Sequence, residues 1–206
     1  MKRIKIDLNS PSKEAIYETS RCLKDDGIII YPTETLYGIG VNALKKELIE
    51  KVLKIKKRDQ QKPIALIIKD DKMLKKIVSF IPPLAYSLIK KYWPGPLTII
   101  FNASPLLPDN LFGNKGRKIG VRISSSIFVR KLFEFIDFPI TATSANISGE
   151  DNNLTPTDII SNFSSKIDIF IDGGKLKDVE PSTVIDITDG KIKIIRKGVI
   201  DLGKEL

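Results

Sequence analysis

The sequence predicts a single α/β domain in which helices pack on a mixed sheet of parallel and antiparallel strands. Predicted strands and helices are interspersed along the chain, which is typical of α/β proteins. Near the end, the pair Asp189-Gly190 joins two alternating segments as a hairpin, so the sheet is not expected to be all parallel. No linker or low-complexity segment interrupts the 206 residues. We therefore expect one domain over residues 1–206.

Each element is predicted from the spacing of its apolar residues, which alternate in strands and recur every three or four residues in helices. Strands are predicted at 2–8, 28–31, 64–68, 97–101, 118–123, 139–143, 167–172, 183–188 and 191–196. Helices are predicted at 11–26 (with Ser10 as the N-cap), 44–55, 71–79, 82–92 and 126–136, and a short one begins at Thr155. The segment YPTETLYGIG, residues 31–40, is predicted to be a loop.

Composition excludes several kinds of chemistry. The chain has no histidine and one cysteine, Cys22. Ser-His-Asp triads, Cys-His pairs, internal disulfides and zinc sites built on histidine or thiolates are therefore excluded. The formal net charge of +9 favours anionic partners such as nucleotides or nucleic acid, although a basic solvated surface gives the same count. With no export signal and no apolar run long enough to cross a membrane, we expect a cytoplasmic protein.

Residues 38–43 fit the dinucleotide-binding pattern G-x-G-x-x-A, but their context is poor. A Rossmann turn follows its strand directly, whereas here Pro32-Thr33-Glu34-Thr35 intervenes after the strand at 28–31. The other reading is that the glycines permit a tight loop and a helix entry.

Two further segments could bind phosphates. The basic segment 45–62 ends in Lys56-Lys57-Arg58 where a helix gives way to a loop, so these cations either point into a cleft or form a solvated face. The strand at 139–143 runs into small hydroxyl and amide residues, which either orient a ligand or form an ordinary turn. These residues are Thr141, Thr143, Ser144, Asn146 and Ser148. The carboxylates Glu34 and Asp172 could hold magnesium or act as bases, but capping or solvation is the simpler reading.

Taken in order, these segments resemble the YrdC-like family, the threonylcarbamoyl-AMP synthases of tRNA modification. The matching segments are YPTETLYGIG (31–40), Lys56-x-Arg58 with Lys62-Pro63, WPGPLT (93–98), GVR (120–122), Ser144-x-Asn146, STV (182–184) and IIRKG (194–198). The resemblance covers about residues 12–200. It implies a YrdC/RibB-like fold, in which a twisted mixed sheet surrounds a basic concave cavity, and the single-domain form of the family.

The resemblance implies that the chain makes threonylcarbamoyl-adenylate and pyrophosphate from L-threonine, bicarbonate and ATP, with Mg²⁺. A transferase partner would then modify an adenosine beside the anticodon of tRNA, and direct binding of tRNA stays open. The alternative is an RNA-binding module of the same fold without synthase activity.

Residue roles also follow from the resemblance. It assigns L-threonine to Thr33, Lys62, Arg122, Ala142 and Ser182. It assigns ATP to Lys56, Arg58, Lys118, Ser144, Asn146 and Arg196. The tetrad Lys56, Arg58, Ser144 and Asn146 is expected to carry catalysis. Two departures from the family pattern are Asp59, where proline is frequent, and the run 124–126 of three serines, where proline and histidine often follow GVR.

Overall fold

The structure is a computed structural model that describes residues 1–59, 61–114, 116–146, 155–176 and 180–203. Its helices are α1 (Lys13–Lys24), α2 (Lys46–Ile55), α3 (Asp71–Ile77), α4 (Pro83–Tyr92), α5 (Ile127–Leu132) and α6 (Pro156–Phe163), with a 3-10 turn at Asp109–Leu111. Its strands are β1 (Lys2–Lys5), β2 (Ile29–Pro32), β3 (Tyr37–Gly40), β4 (Leu66–Ile67), β5 (Leu97–Asn102), β6 (Lys118–Arg122), β7 (Ile140–Thr141), β8 (Thr143–Ser144), β9 (Ile169–Asp172), β10 (Thr183–Asp186) and β11 (Lys193–Arg196).

The strands form two mixed sheets, whereas the sequence predicted one. The first has the order β1-β9-β2-β3-β8, and the second has the order β11-β10-β5-β6-β4-β7. Parallel pairs such as β1–β9 and β5–β10 stand beside antiparallel pairs such as β2–β3 and β5–β6. The predicted α/β class and mixed strand directions are therefore confirmed. The predicted terminal hairpin is confirmed as well, since β10 and β11 pair antiparallel.

One short segment joins the two sheets. Residues 140–141 pair with β4 in the second sheet, and residues 143–144 pair with β3 in the first. Ala142 lies between these pairings, and its N–H donates to the carbonyl of Ala65 at 2.8 Å. A single pass of the chain therefore belongs to both sheets. This explains why an apolar pattern read as one strand at 139–143 did not reveal the division.

The predicted loop at 31–40 contains a strand that the sequence analysis missed. Tyr37–Gly40 pairs antiparallel with β2, and Gly38 and Gly40 lie against the ring of Tyr31. A Cβ atom on Gly40 would stand 2.7 Å from Tyr31 Cε1, so a side chain there would collide with the ring. Because the G-x-G-x-x-A pattern starts inside an antiparallel strand, the dinucleotide-binding reading is wrong, and so is the reading of these glycines as a tight loop.

We expect Gly40→Ala to lower the free energy of unfolding by about 1–3 kcal/mol, because the new methyl group overpacks a fully buried tyrosine. Gly38→Ala is the matched control, since its Cβ would meet Tyr31 at 3.2 Å and requires a smaller adjustment. Urea unfolding followed by circular dichroism measures both variants. Equal stability of Gly40→Ala and the wild type would contradict this packing argument.

Two helix starts show how capping sets the boundaries. The predicted N-cap Ser10 is wrong, because Ser12 caps α1 by accepting from the N–H of Ala15 at 3.2 Å. Thr155 caps α6 in a reciprocal capping box with Asp158, which confirms the predicted start. Across the residues described, no helix has the length and apolar character that a membrane crossing requires.

Candidate functional site

Two adjoining pockets open where the two sheets meet. The small pocket has a volume of about 130 Å³ and lies against the turn between β2 and β3. The large pocket has a volume of about 300 Å³ and lies on the second sheet. Both are lined by Arg122, Ala142, Thr143, Ser144, Ser182 and Arg196. Ligands in the two pockets would therefore touch the same side chains.

One face of three neighbouring strands forms the floor of the large pocket. Side chains alternate between the faces of a sheet, so every second residue of a strand faces the same side. β10 contributes Val184 and Asp186, β5 contributes Thr98 and Ile100, and β6 contributes Lys118, Gly120 and Arg122. Strand register places these residues side by side, with Val184 opposite Thr98 and Gly120 opposite Ile100.

The charged residues that line the large pocket are four cations, Arg58, Lys118, Arg122 and Arg196, and one carboxylate, Asp186. Lys118 Nζ donates to Asp186 at 3.1 Å. Burial raises the pKa of Asp186, but hydrogen bonds from Thr188 and Lys118 outweigh it, and the pKa lies below its ordinary value. This carboxylate is therefore ionised and largely neutralises Lys118. Arg122 is paired with Glu34. Arg58 and Arg196 therefore remain to attract an anion.

The end of α2 directs Arg58 into the large pocket. Lys57 adopts a left-handed conformation with φ +48°, which turns the chain after the helix. Arg58 Nη2 then donates to the carbonyl of Pro63 at 2.9 Å, and Nε contacts the carbonyl of Lys62 at 3.4 Å. Burial lowers the pKa of Arg58 from its ordinary value, but a guanidinium remains charged at neutral pH. Backbone carbonyls thus hold a cation at the pocket wall without neutralising it.

Lys56 is 1% exposed, and its amino group contacts the end of β8 and the residues that follow it. Nζ donates to the carbonyl of Ser144, to the carbonyl of Asn146 at 2.6 Å and to Asn146 Oδ1 at 3.1 Å. Ser144 Oγ donates to the same Asn146 Oδ1 at 2.6 Å. Burial, and then the charge of Arg58, lower the pKa of Lys56 to about 7. The structure thus brings the four residues of the predicted tetrad together, but it places Lys56 beneath the pocket lining.

The small pocket is built around the turn between β2 and β3. Thr33 Oγ1 accepts from the N–H groups of Thr35 at 3.1 Å and Leu36 at 3.2 Å, so this hydroxyl closes the turn. Arg122, at the end of β6, is 6% exposed and reaches the pocket from the other side. Tyr31 forms part of the wall and donates its hydroxyl to the carbonyl of Thr141 at 2.9 Å.

Arg196 and Ser182 form the rim that the two pockets share. Arg196 Nη2 donates to the carbonyl of Ser182 at 2.8 Å and contacts Ser182 Oγ at 3.0 Å. Burial, and then the charge of Arg122, lower the pKa of Arg196 from its ordinary value. Two guanidiniums that repel each other across a pocket would both gain from an anion bound between them.

The remaining predicted residues are placed differently. Ala142 lines both pockets and offers its methyl group, because its N–H is bonded within the fold. Lys62 is exposed and lies outside the described lining of either pocket. Thr141 is buried, and its hydroxyl donates to the carbonyl of Ile39 at 2.9 Å, so it holds the fold together. Ser148 lies outside the described residues.

Sequence reasoning missed Tyr31, Thr98 and Asp186 as lining residues. The sequence does contain a signal for Asp186 and Thr98. Asp186 lies two positions after Val184 in TVIDIT and Thr98 lies two positions before Ile100 in LTIIF, so each pair faces the same side of its strand. Which face of those strands meets a ligand depends on how the strands pair, and the local pattern does not contain that information.

Comparisons with known proteins match nearly the whole chain. The Sua5_yciO_yrdC family model, described as "Telomere recombination", matches residues 21–198. The chain is 38% identical over 205 residues to a Methanocaldococcus jannaschii protein provisionally named threonylcarbamoyl-AMP synthase, and the match covers 98% of this chain and 96% of that protein. It is 33% identical over 180 residues to the threonylcarbamoyl-AMP synthase of Pyrococcus abyssi, covering 87% of this chain and 53% of the relative. The structure of P. abyssi Sua5 complexed with L-threonine matches at 30% identity with a TM-score of 0.93, covering 100% of this chain and 60% of that one. The chain thus spans little more than half the length of the P. abyssi protein.

Proposed function

The chain belongs to the Sua5/YciO/YrdC family, and from this premise we propose that it is a threonylcarbamoyl-AMP synthase. The reaction would convert L-threonine, bicarbonate and ATP into threonylcarbamoyl-adenylate and pyrophosphate. The observation that carries the proposal is the pair of adjoining pockets, because a reaction between an amino acid and a nucleotide needs two sites with a common edge.

We place L-threonine in the small pocket. At about 130 Å³ the pocket is well below the usual range for drug-sized ligands, about 300–1,000 Å³, and suits a molecule of amino-acid size. The guanidinium of Arg122 matches the threonine carboxylate. Thr33 and Ser182 supply hydroxyl groups at the wall, and Ala142 supplies a methyl group for contact.

ATP is assigned to the large pocket, at about 300 Å³. Its apolar wall, which includes Ile64, Phe112 and Ile195, suits a base, while the cations suit phosphates. Arg58, Arg196 and Lys118 would contact the phosphates, and the hydroxyl of Ser144 would lie at the boundary with threonine. Asn146 and Lys56 would act by fixing Ser144.

The proposed reaction has two steps. The threonine amine attacks the carbon of bicarbonate, a C–N bond forms, and water leaves to give N-carboxythreonine. A carbamate oxygen then attacks the α-phosphorus of ATP, and the bond to the β-phosphate oxygen breaks to release pyrophosphate. Arg58 and Arg196 would neutralise the charge that grows on the phosphates, and catalysis would consist mostly of positioning and charge stabilisation.

Mg²⁺ would enter the site as part of the ATP substrate. Among the described residues, no group of three or more Asp, Glu, His or Cys side chains is arranged to hold a metal ion. The carboxylate in the large pocket, Asp186, is bonded to Lys118 and Thr188. Mg²⁺ in nucleotide enzymes is often held mainly by substrate phosphates and water, so we assign it to the triphosphate and to none of the described side chains.

The place of this activity in tRNA modification belongs to the same proposal. We propose that the adenylate passes to a partner transferase that modifies an adenosine beside the tRNA anticodon, and that this takes place in the cytoplasm. The alternative function, an RNA-binding module without synthase activity, predicts binding of tRNA with no turnover of ATP.

Release of pyrophosphate tests the proposal directly. We expect the purified chain to release pyrophosphate only when ATP, bicarbonate and L-threonine are all present, and mass spectrometry should detect the adenylate. Ser182→Ala should raise the KM for threonine, while Ser125→Ala, at an exposed position outside both pockets, should not. Release no greater than in a threonine-free control would refute the synthase assignment and favour the RNA-binding module.

A further inference from the structure

Glu34 holds the guanidinium of Arg122 from outside the small pocket. Glu34 Oε1 accepts from Arg122 Nη1 at 2.6 Å, and Thr35 Oγ1 contacts the same nitrogen at 3.4 Å. The side chains of Glu34 and Arg122 are 14% and 8% exposed, so water screens the pair poorly. In the described part of the chain, the side-chain hydrogen bonds of Arg122 all run through Nη1. Nη2 and Nε are thus left for a ligand.

Ser124 holds the other carboxylate oxygen of Glu34. Its Oγ donates to Glu34 Oε2 and accepts from the N–H of Ser126 at 3.2 Å. Ser126 Oγ in turn contacts the carbonyl of Pro32 at 3.3 Å. Pro32 is the last residue of β2, so this series of contacts leads back to that strand. Both oxygens of Glu34 are therefore acceptors in a bonded chain, and the carboxylate has little freedom to turn.

This placement separates Glu34 from the chemistry of the pocket. Glu34 is absent from the residues that line the small pocket, although both neighbours, Thr33 and Thr35, are among them. A general base must come within hydrogen-bond reach of the amine that it deprotonates. Because its two oxygens are committed to Arg122 and Ser124, Glu34 is poorly placed for that task.

We propose that Glu34, fixed by Ser124, is a positioning residue that orients the Arg122 guanidinium so that Nη2 and Nε face a ligand carboxylate. An arginine loses considerable rotamer freedom when it binds, and a partner that fixes it beforehand removes that cost from ligand binding. The predicted effect on the binding of threonine rests on the proposed function. The orientation of Arg122 itself does not.

Enzyme kinetics provide the first test. Glu34→Ala should raise the KM for L-threonine by about tenfold, the loss expected for a hydrogen bond to a charged group. The kcat and the KM for ATP should stay unchanged, because Arg122 would bind the threonine carboxylate equally in the ground and transition states. Glu34→Gln and Ser124→Ala should give smaller increases in the same direction. Glu47→Gln, on the exposed face of α2, is the control for loss of one negative charge.

Side-chain NMR provides a readout that does not depend on turnover. In the wild type and in Glu47→Gln, the Nη1–H signal of Arg122, the group that Glu34 holds, should be sharp and protected from exchange. In Glu34→Gln it should broaden and exchange faster while the backbone spectrum stays folded. An unchanged Arg122 signal, or equal increases in KM for threonine and ATP, would overturn the positioning role. If the wild type released no threonine-dependent pyrophosphate, the proposed function would fail, and the NMR comparison would still decide the role of Glu34.

Discussion

Replacing Arg58 with alanine is expected to lower threonine-dependent pyrophosphate release by about 10³-fold, in the range for arginines that stabilise phosphoryl transfer. Arg58 lines the large pocket, and within the described residues only backbone carbonyls hold its guanidinium. None of the carboxylates that the structure describes offsets its charge, so that charge is free to act on the phosphates. Lys118, whose charge Asp186 offsets, would not replace it.

The fold should survive this change, because Arg58 follows the last turn of α2 and the core lies elsewhere. Urea unfolding should show a transition close to that of the wild type, and single-turnover measurements with ATP in excess should show the loss in the chemical step. Arg130→Ala is the matched control, since Arg130 is an exposed arginine on α5 outside both pockets. Full activity in Arg58→Ala would remove Arg58 from the proposed mechanism.

Local patterns predicted most of the elements because apolar periodicity survives wherever one face is buried. They failed at Tyr37–Gly40, where two glycines interrupt the alternation of a strand that is buried throughout. Glycine is required at these positions because the ring of Tyr31 packs against them, and Tyr31 becomes their neighbour only after β2 and β3 pair. The division into two sheets was missed for a similar reason, since one apolar segment pairs with β4 at one end and with β3 at the other.

The sequence also predicted which segments would meet at the site, and the two pockets bring together most of the residues named from it. It did not distinguish a residue that faces a ligand from one that supports such a residue. Lys56 and Arg58 are two positions apart, yet Arg58 lines the large pocket and Lys56 lies beneath its lining. The different placement of Lys56 and Arg58 arises from the left-handed turn at Lys57, and no pattern of residue types predicts that turn.

Replacing Lys56 with methionine is expected to reduce kcat/KM for ATP by about 10²-fold, the scale of loss for small displacements of binding groups. Methionine fills similar space without a donor, so the carbonyls of Ser144 and Asn146 lose their shared partner. Ser144 would then shift at the boundary of the two pockets. Lys56→Arg should fail to restore activity, because a planar guanidinium does not fit the space of a fully buried ammonium. Wild-type kinetics in Lys56→Met would show that the segment is held by other contacts.

The pH dependence of the same lysine gives an independent test. Its pKa of about 7 in the folded chain lies below the ordinary 10.5. Below about pH 7 the ammonium has three donors for its three acceptors, and above it the amine has two. We therefore expect kcat/KM for ATP to fall as pH rises through about 7 in the wild type and to stay flat there in Lys56→Met. Deprotonation of the threonine amine should raise activity with pH, but it acts on kcat/KM for threonine. The two pH effects can therefore be distinguished by measuring kcat/KM for each substrate.

The free energy of unfolding should rise with pH over the range in which kcat/KM for ATP falls. Between about pH 7 and 10.5, the unfolded chain keeps a proton on Lys56 that the folded chain has released. The free energy of unfolding of the wild type, measured relative to Lys56→Met, should therefore rise with pH across this window, because the cost of burying the charge is present below it and disappears within it. Activity that falls while stability rises over one pH range is expected of a buried ammonium that holds a binding segment in place. A difference in stability that does not vary with pH would show that Lys56 keeps its proton in the folded chain, and the alkaline loss of activity would then need another source.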